Sequence, residues 1–151
     1  MRLTTFIFGI VSVFLVAAVG YWVFVTMQFP AGPVNVLVVR TGQPWILQVV
    51  MWLMAASLVL AVVGSFMSWR PRVARMAFAV SGICWAVVAV AVAVGMGMKM
   101  GDPATAPPGA DTVSLLLNVV LDFSPLLPLV AAHYVAGIAA RRRADKLSAA
   151  A

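Results

Sequence analysis

Four long runs of apolar residues, separated by short polar segments, dominate the hydrophobic pattern of the chain. Each run meets or approaches the length of about 20 residues that a helix needs to cross the hydrocarbon core of a bilayer, which is about 30 Å thick. The pattern therefore predicts four transmembrane helices, at residues 6–27, 46–67, 76–98 and 113–140. The first run is longer than the apolar part of a secretory signal, which favours a retained helix.

The segments between the runs predict two outer loops at residues 28–45 and 99–112, an inner turn at 68–75 and a tail at 141–151. Pro71, in the inner turn, either ends the second helix or starts the third. Prolines punctuate the first outer loop, and β-branched residues dominate its centre, residues 34–39. This composition favours an irregular loop on the membrane surface. A short extended segment that pairs with another chain is the alternative.

The fourth run contains two helix-disrupting residues, Pro125 and Pro128. As one straight helix it would measure about 42 Å, which exceeds the thickness of the hydrocarbon core. Ser124 is a good N-cap and Pro125 suits the first position of a helix. We therefore expect the helix to be kinked or broken near Ser124 and Pro125. The crossing would then run over residues 125–140, with Asp122 near the lipid headgroups.

The composition agrees with a membrane protein. Of the 151 residues, 64% are hydrophobic and 9% are charged, whereas a soluble domain has about 25% charged residues. Too few charges are present to cover a water-exposed surface, so lipid must be the solvent for most of the chain. The prediction is a single all-α integral membrane domain over residues 1–151, built as an antiparallel four-helix bundle.

The basic residues cluster beside the apolar runs, which is the pattern of topology signals and not of a nucleic-acid groove. Only Arg40 and Lys99 fall on the predicted outer side. By the positive-inside rule both termini are cytoplasmic. The Ala-, Val- and Arg-rich composition suggests a bacterial plasma membrane. The basic residues of the predicted inner side are Arg2, Arg70, Arg72, Arg75, Arg141, Arg142, Arg143 and Lys146.

Small residues recur along the third run at four-residue spacing. Ala89, Ala93 and Gly97 form one row, and Gly82 and Ala86 form another. Since apolar burial provides little drive between helices in lipid, small residues that allow close backbone approach mark packing faces. We expect these rows to be helix-packing positions, and the small bundle to leave no interior space for a large ligand.

The inventory of reactive residues argues against an enzyme. The sequence contains no phosphate-binding, dinucleotide-binding or zinc-protease motif. His133 is the only histidine and Cys84 the only cysteine, so bis-histidine haem ligation and an intrachain disulfide are excluded. The four acidic residues are all Asp and do not pair at one depth. We expect no catalytic residue and no cofactor bound by this chain alone, with lipid around it.

Asn118, Asp122 and His133 fall within a narrow stripe of an ideal helix. Asp122 and His133 would stand about 16 Å apart along the axis, so they share a face without touching. An ionisable residue in a membrane suggests a proton or ion path. The alternative is a structural hydrogen bond from His133 to a neighbouring helix or a partner subunit. The serines that could accept it are Ser57, Ser65 and Ser81.

Three methionines near the outer end of the third run, Met96, Met98 and Met100, are weak candidates for a Cu(I) site because thioethers are soft ligands. In a continuous helix Met98 points away from the other two, so residues 95–101 would have to unwind to gather all three. Flexible packing by methionine at a helix end is the alternative.

Together these features favour a protein that acts by contact. We expect a non-catalytic accessory subunit of a larger bacterial membrane complex, whose partners are other integral membrane subunits. The first expectation for that complex is an oxidase-type respiratory assembly, on a class-level analogy with small bland subunits. A small transporter or channel subunit that uses the polar stripe is the alternative, and an outer-side Cu(I)-handling protein is the third.

Overall fold

A computed structural model of the protein describes residues 2–67, 69–100, 117 and 126–149. These residues are nearly all helical, and no strand occurs among them, which confirms the all-α prediction for this part of the chain. Asn118, Asp122, Ser124 and Pro125 lie outside the described residues. The helices are α1 (Arg2–Met27), α2 (Pro33–Thr41), α3 (Trp45–Phe66), α4 (Pro71–Met100) and α5 (Leu126–Ala149).

Three of the described helices are long and apolar enough to cross a membrane, namely Phe6–Met27 within α1, α3 and α4. The first two match the predicted spans closely, whereas α4 extends past the predicted residues 76–98 at both ends. Pro71 occupies the first position of α4, where its missing N–H costs nothing, and so it starts this helix. The described apolar part of α5, residues 126–140, measures only about 22 Å before the basic cluster begins.

The long helices pack around a common centre. Helix α3 contacts α1 and α4, and α5 contacts the same two helices, so the order around the centre is α1, α3, α4, α5. Neighbours run antiparallel, since Gly9 near the start of α1 lies against Ser65 near the end of α3. The start of α4 and the basic segment of α5 share one end, which we call the basic end. Helix α2 lies at the opposite end, against the last turns of α4.

The interior consists mainly of valine and other small apolar side chains. Residues of α1 that recur every three or four positions point inward, and equivalent faces of α3 and α4 meet them. A second, smaller cluster at the basic end joins Ala74, Phe78 and Ala136, with Phe8 against it. The members of the larger cluster are Val16, Val19, Val23, Met27, Val34, Val50, Ala61, Trp85, Val88, Val92 and Met96.

Large apolar side chains also cover the outside. Phe14 and Tyr21 are each 70% exposed and Trp52 is 75% exposed. Soluble monomers rarely expose apolar patches this extensive, because water would drive them to associate. Together with the three long apolar helices, this surface is that of a multi-pass membrane protein whose outer face meets lipid.

Helix α2 corrects the expectation of an irregular or extended segment at residues 34–39. Pro33 starts this helix, and Asn35 Nδ2 donates hydrogen bonds to the carbonyl oxygens of Met27 and Phe29 at 2.7 and 2.8 Å. Gly42 ends it with a φ of 66°, a left-handed conformation that other residues adopt only with strain. Val34 and Leu37 are buried, so tertiary packing overrides the β-propensity of the valines.

Close helix contacts form at glycines other than those predicted. A Cβ on Gly95 would overlap the carbonyl oxygen of Pro33, so this glycine allows α2 to lie directly on α4. A Cβ on Gly64 would lie 3.0 Å from the ring of Phe78. By contrast, no atom of the described residues lies within 4 Å of a Cβ built on Gly82 or Gly97. These two glycines of the predicted rows therefore make no close contact within the described chain, whereas Ala89 packs against the larger core cluster.

Replacing Gly95 with alanine should separate α2 from α4, because the new methyl group has no room beside Pro33. We expect Gly95→Ala to lower the free energy of unfolding by about 1–3 kcal/mol, the usual cost of overpacking. Gly97→Ala is the matched control, since its surroundings are open, and it should stabilise the helix by up to about 1 kcal/mol. Thermal unfolding in detergent measures both, and equal shifts would contradict the close contact.

Candidate functional site: the α4–α5 groove and its histidine

His133 hydrogen-bonds to a neighbouring helix. Its Nε2 lies 2.9 Å from Ser81 Oγ of α4, and Ser81 Oγ lies 2.9 Å from the backbone carbonyl oxygen of Ser57 on α3. His133 is 7% exposed, and both serines are fully buried. The expected partnership of this histidine with a hydroxyl of another helix is present, and Ser81 is the serine that makes it.

The direction of these hydrogen bonds follows from counting protons. A serine hydroxyl has one proton to donate, and a carbonyl oxygen can only accept. Ser81 therefore donates to the Ser57 carbonyl and accepts from His133, which places a proton on Nε2 of the imidazole. The Ser57 hydroxyl donates separately to the Met54 carbonyl within α3, at 2.8 Å. The arrangement connects α5, α4 and α3 through a single hydroxyl group.

Aromatic packing holds the imidazole in place. The ring of Phe78 meets that of His133 edge to face, with centroids 6.2 Å apart and an interplanar angle of 89°. Such edge-to-face pairs are favourable because the positive edge of one ring meets the negative face of the other. His133 lies eight residues before Arg141, or about 12 Å along the axis, and so within the apolar part of α5.

Beside this histidine, a groove of about 460 Å³ opens between α4 and α5. Small residues form much of its α4 wall, and they include Gly82, Ala86 and Ala89 of the predicted packing rows. Residues from about three turns of α5, between Val130 and Arg141, face them. The described residues that line it are Arg75, Phe78, Ala79, Gly82, Trp85, Ala86, Ala89, Val130, His133, Tyr134, Gly137, Ile138 and Arg141.

The groove is apolar along most of its length and basic at one end. Arg75 and Arg141 are both exposed and lie at the basic end. No acidic side chain belongs to the described lining residues. The groove therefore combines a long apolar wall with two positive charges, a combination that suits an amphiphilic molecule better than a small polar substrate.

Sequence reasoning found part of this site. It selected Gly82, Ala86, Ala89 and His133, but as packing and stripe positions and not as one groove. It missed Gly137 and Tyr134 of α5, although Gly137 carries the same small-residue signal as Gly82. The other two residues of the predicted packing rows, Ala93 and Gly97, are exposed on α4 beyond the groove.

The polar stripe is described only at His133, since Asn118 and Asp122 lie outside the described residues. The Nε2–H group of His133 donates a hydrogen bond to the Ser81 hydroxyl, and that hydroxyl donates in turn to the backbone carbonyl of Ser57. A backbone carbonyl ends such a series, because it has no proton to pass on. The Nε2 hydrogen bond of His133 is therefore a structural contact between helices, and a proton role for this residue stays a prediction.

The methionines are not gathered into a site. Helix α4 continues without a break through Met100, so Met98 points away from Met96 and Met100. Met96 is buried in the larger core cluster together with Met27. Among the described residues, no group of three or more His, Cys, Asp or Glu side chains is placed to hold a metal ion.

The basic residues predicted as topology signals fall together. Arg70, Arg72 and Arg75 lie at or before the start of α4, and Arg141, Arg142 and Arg143 follow the apolar part of α5. Because these two helices are antiparallel, all six positions are at the basic end.

Comparisons with models of protein families, with curated proteins and with solved structures gave no match.

Replacing Ser81 with alanine tests the hydrogen bonds between the helices. The change leaves a buried imidazole N–H without its acceptor, which usually costs about 1–3 kcal/mol. We expect Ser81→Ala to lower the free energy of unfolding in detergent by this amount. Ser57→Ala should have a clearly smaller effect, because Ser57 contributes only its backbone carbonyl to the connection. Similar losses in both variants would contradict the arrangement.

Proposed function

We propose that this protein is a non-catalytic accessory subunit of a multi-subunit membrane complex, and that it binds a transmembrane helix of a partner subunit between α1 and α3. The observation that carries the proposal is a second groove, of about 290 Å³, on the side opposite the α4–α5 groove. Its lining residues are Val16, Ala17, Gly20, Tyr21, Phe24, Met54, Ala55 and Leu58.

The α1–α3 groove has the features of a helix-docking surface. On α1, Ala17, Gly20, Tyr21 and Phe24 recur at three- and four-residue spacing, so they share one face. Small residues form its floor, while Tyr21 and Phe24 stand exposed at its side. None of the described lining residues is charged. A helix that docks there would meet small, aliphatic and aromatic side chains.

The physics of association in lipid supports this occupant. Helices in a membrane associate through close van der Waals contact, because hydrocarbon competes with any apolar surface. Gly20 contributes little to packing within the described part of the chain, since a Cβ there would meet only the Trp85 ring among the described residues, at 3.9 Å. Its lack of a side chain therefore serves the outer surface, where a partner backbone can approach.

The inventory of reactive residues supports the non-catalytic part of the proposal, because the sequence has a single histidine and no phosphate-binding, dinucleotide-binding or zinc-protease motif. For the parent complex we propose an oxidase-type respiratory assembly of a bacterial plasma membrane. This choice rests on an analogy with other small subunits of such complexes that, like this chain, have no distinctive motif. Haem absorbance in the co-purified complex tests it directly.

We further propose four membrane crossings, with α5 as the fourth, and both termini in the cytoplasm. The support is the collection of six arginines at the basic end, since loops rich in Lys and Arg stay in the cytoplasm. Arg40 and Lys99, at the α2 end, are the basic residues of the opposite side.

Cysteine labelling tests this orientation. The natural Cys84 is buried and should react little. We expect Gln43→Cys, at an exposed position beside α2, to react with a membrane-impermeant maleimide in intact cells. Ala149→Cys, at the exposed end of α5, should react only after the membrane is permeabilised. The reverse pattern would contradict the proposed topology.

Two adjacent alanines of α1 test the docking surface. Both are exposed, but Ala17 lines the α1–α3 groove and Ala18 does not. We expect Ala17→Leu to fill the groove and to reduce the yield of co-purified partner subunits at least tenfold, which corresponds to about 1.4 kcal/mol. Ala18→Leu should leave the yield unchanged. Affinity purification in mild detergent followed by mass spectrometry measures both.

Two outcomes would contradict the proposal. A protein that purifies only as a closed oligomer of itself, and that conducts ions in liposomes, would be a channel. Loss of the partner in both alanine variants would show that leucine anywhere on this part of α1 disturbs the fold. Circular dichroism of the purified variants separates that effect from a specific loss of docking.

A further inference from the structure

We propose that the α4–α5 groove is a binding site for one anionic phospholipid. An acyl chain lies along the apolar wall, and the phosphate is held between Arg75 and Arg141. The groove lies on the face opposite the α1–α3 groove, so the assignment does not depend on the docking of a partner subunit, but it rests on the proposed orientation in the membrane. The shape of the groove, its charges and its position relative to the membrane support the assignment.

The length of the groove matches one leaflet. From Arg75 to Ala89 the α4 wall extends over fifteen residues, or about 21 Å between the first and the last. Half of the hydrocarbon core is about 15 Å thick, so the groove covers this depth and reaches into the headgroup region at its basic end. A lipid of the same leaflet can therefore lie in it with its usual orientation.

Small residues leave open space in the groove for a flexible hydrocarbon chain. Gly82, Ala86 and Ala89 line its α4 wall, and Gly137 lines its α5 wall. Among the described residues, no atom lies within 4 Å of a Cβ built on Gly82 or Gly137. The two arginines at its end, and not its width, distinguish this groove from the uncharged α1–α3 groove.

The walls offer that chain apolar contacts. Phe78, Ala86, Val130 and Ile138 line the groove, and the described lining residues include no carboxylate. Tyr134 is 69% exposed at the same wall. A hydrocarbon chain seated there exchanges lipid neighbours for protein neighbours without exposing a polar group, so the headgroup contacts decide which lipid stays.

The basic end supplies those headgroup contacts. Arg75 and Arg141 belong to different helices and line the same end of one groove. Neither makes a hydrogen bond or ion pair within the described part of the chain, so both guanidinium groups are available to a ligand. The planar guanidinium group matches phosphate geometry and can donate two parallel hydrogen bonds to its oxygens.

The position of the basic end favours a lipid as the source of the phosphate. In the proposed orientation this end faces the cytoplasmic leaflet, where anionic lipids concentrate and where basic pockets between helices bind their headgroups. A free phosphate would gain the same two arginines but would leave the apolar wall unused. The site therefore favours an anionic phospholipid over free phosphate, because only the lipid contacts both the arginines and the apolar wall.

Native mass spectrometry of the full chain tests the site. The purified protein is supplied in detergent with equal amounts of dioleoyl phosphatidylglycerol and dioleoyl phosphatidylcholine. We expect one phosphatidylglycerol bound per chain, with a roughly 30-fold preference over phosphatidylcholine. This factor is the usual contribution of two basic side chains to the binding of an anionic lipid at a membrane surface. Equal retention of the two lipids would overturn the proposal.

Arginines at the same end provide a matched control. Arg75→Gln with Arg141→Gln removes two charges that line the groove, and the preference should fall to near parity. Arg72→Gln with Arg142→Gln removes two exposed charges that do not line it, and the preference should remain. Equal effects in the two pairs would show a general attraction of the basic end and would overturn the site.

A change in the apolar wall tests the acyl chain separately. Gly82→Leu places a side chain in open space within the groove, so it should abolish lipid retention while both arginines and the helical circular dichroism remain. A large excess of inorganic phosphate should not displace the bound lipid. Displacement of the lipid by phosphate would overturn the proposal. So would a Gly82→Leu variant that keeps its lipid and instead loses a dimer of the chain.

Discussion

In hydrocarbon, apolar burial gives helices little reason to associate, so contact between them depends on how closely their backbones approach. This constraint explains where the present helices meet. Gly95 allows the backbone of Pro33 to lie against α4, Gly64 receives the ring of Phe78, and Gly9 receives Ser65. Each contact pairs a glycine with a definite neighbour. Where small residues of α4 instead lie opposite Gly137 of α5, no side chain of the described residues fills the space, and the α4–α5 groove results.

The Ser81 hydroxyl complements these contacts with one directional interaction among three helices. Its partners are the imidazole of His133 and the backbone carbonyl of Ser57, and all three residues are buried. A polar group without a partner is costly in an apolar interior, so this arrangement disfavours any sliding or rotation of α5 against α4. It also lies next to the cluster formed by Ala74, Phe78 and Ala136, which fixes the basic end. The histidine therefore specifies helix register, and the groove beside it keeps a defined shape.

The two grooves lie on opposite faces and differ in chemistry. Both contain glycine and alanine, but only the α4–α5 groove ends at arginines from two helices. An uncharged groove with aromatic sides suits the side chains of another helix, whereas an apolar groove with a basic end suits a lipid with a negative headgroup. Under the two proposals above, one small bundle binds a protein partner on one face and a lipid on the other. The lipid-facing aromatic residues, such as Phe14 and Trp52, surround both.

The amino-acid sequence by itself determined the membrane class, the positions of α1, α3 and α4, and the collection of basic residues at one end. Those features depend on apolar length and on charge, which add up residue by residue along the chain. Only the tertiary structure decided that residues 33–41 form a helix, because Asn35 and the contact at Gly95 outweigh the preference of the valines for strands. It also decided that Ser81, and not Ser57 or Ser65, receives His133, and that Gly82 and Ala86 line an open groove. The predictions for Asn118, Asp122 and the break near Ser124 and Pro125 stay predictions. Small residues and serines occur on several faces of these helices, and which face meets a neighbour depends on how the helices are rotated and paired in space.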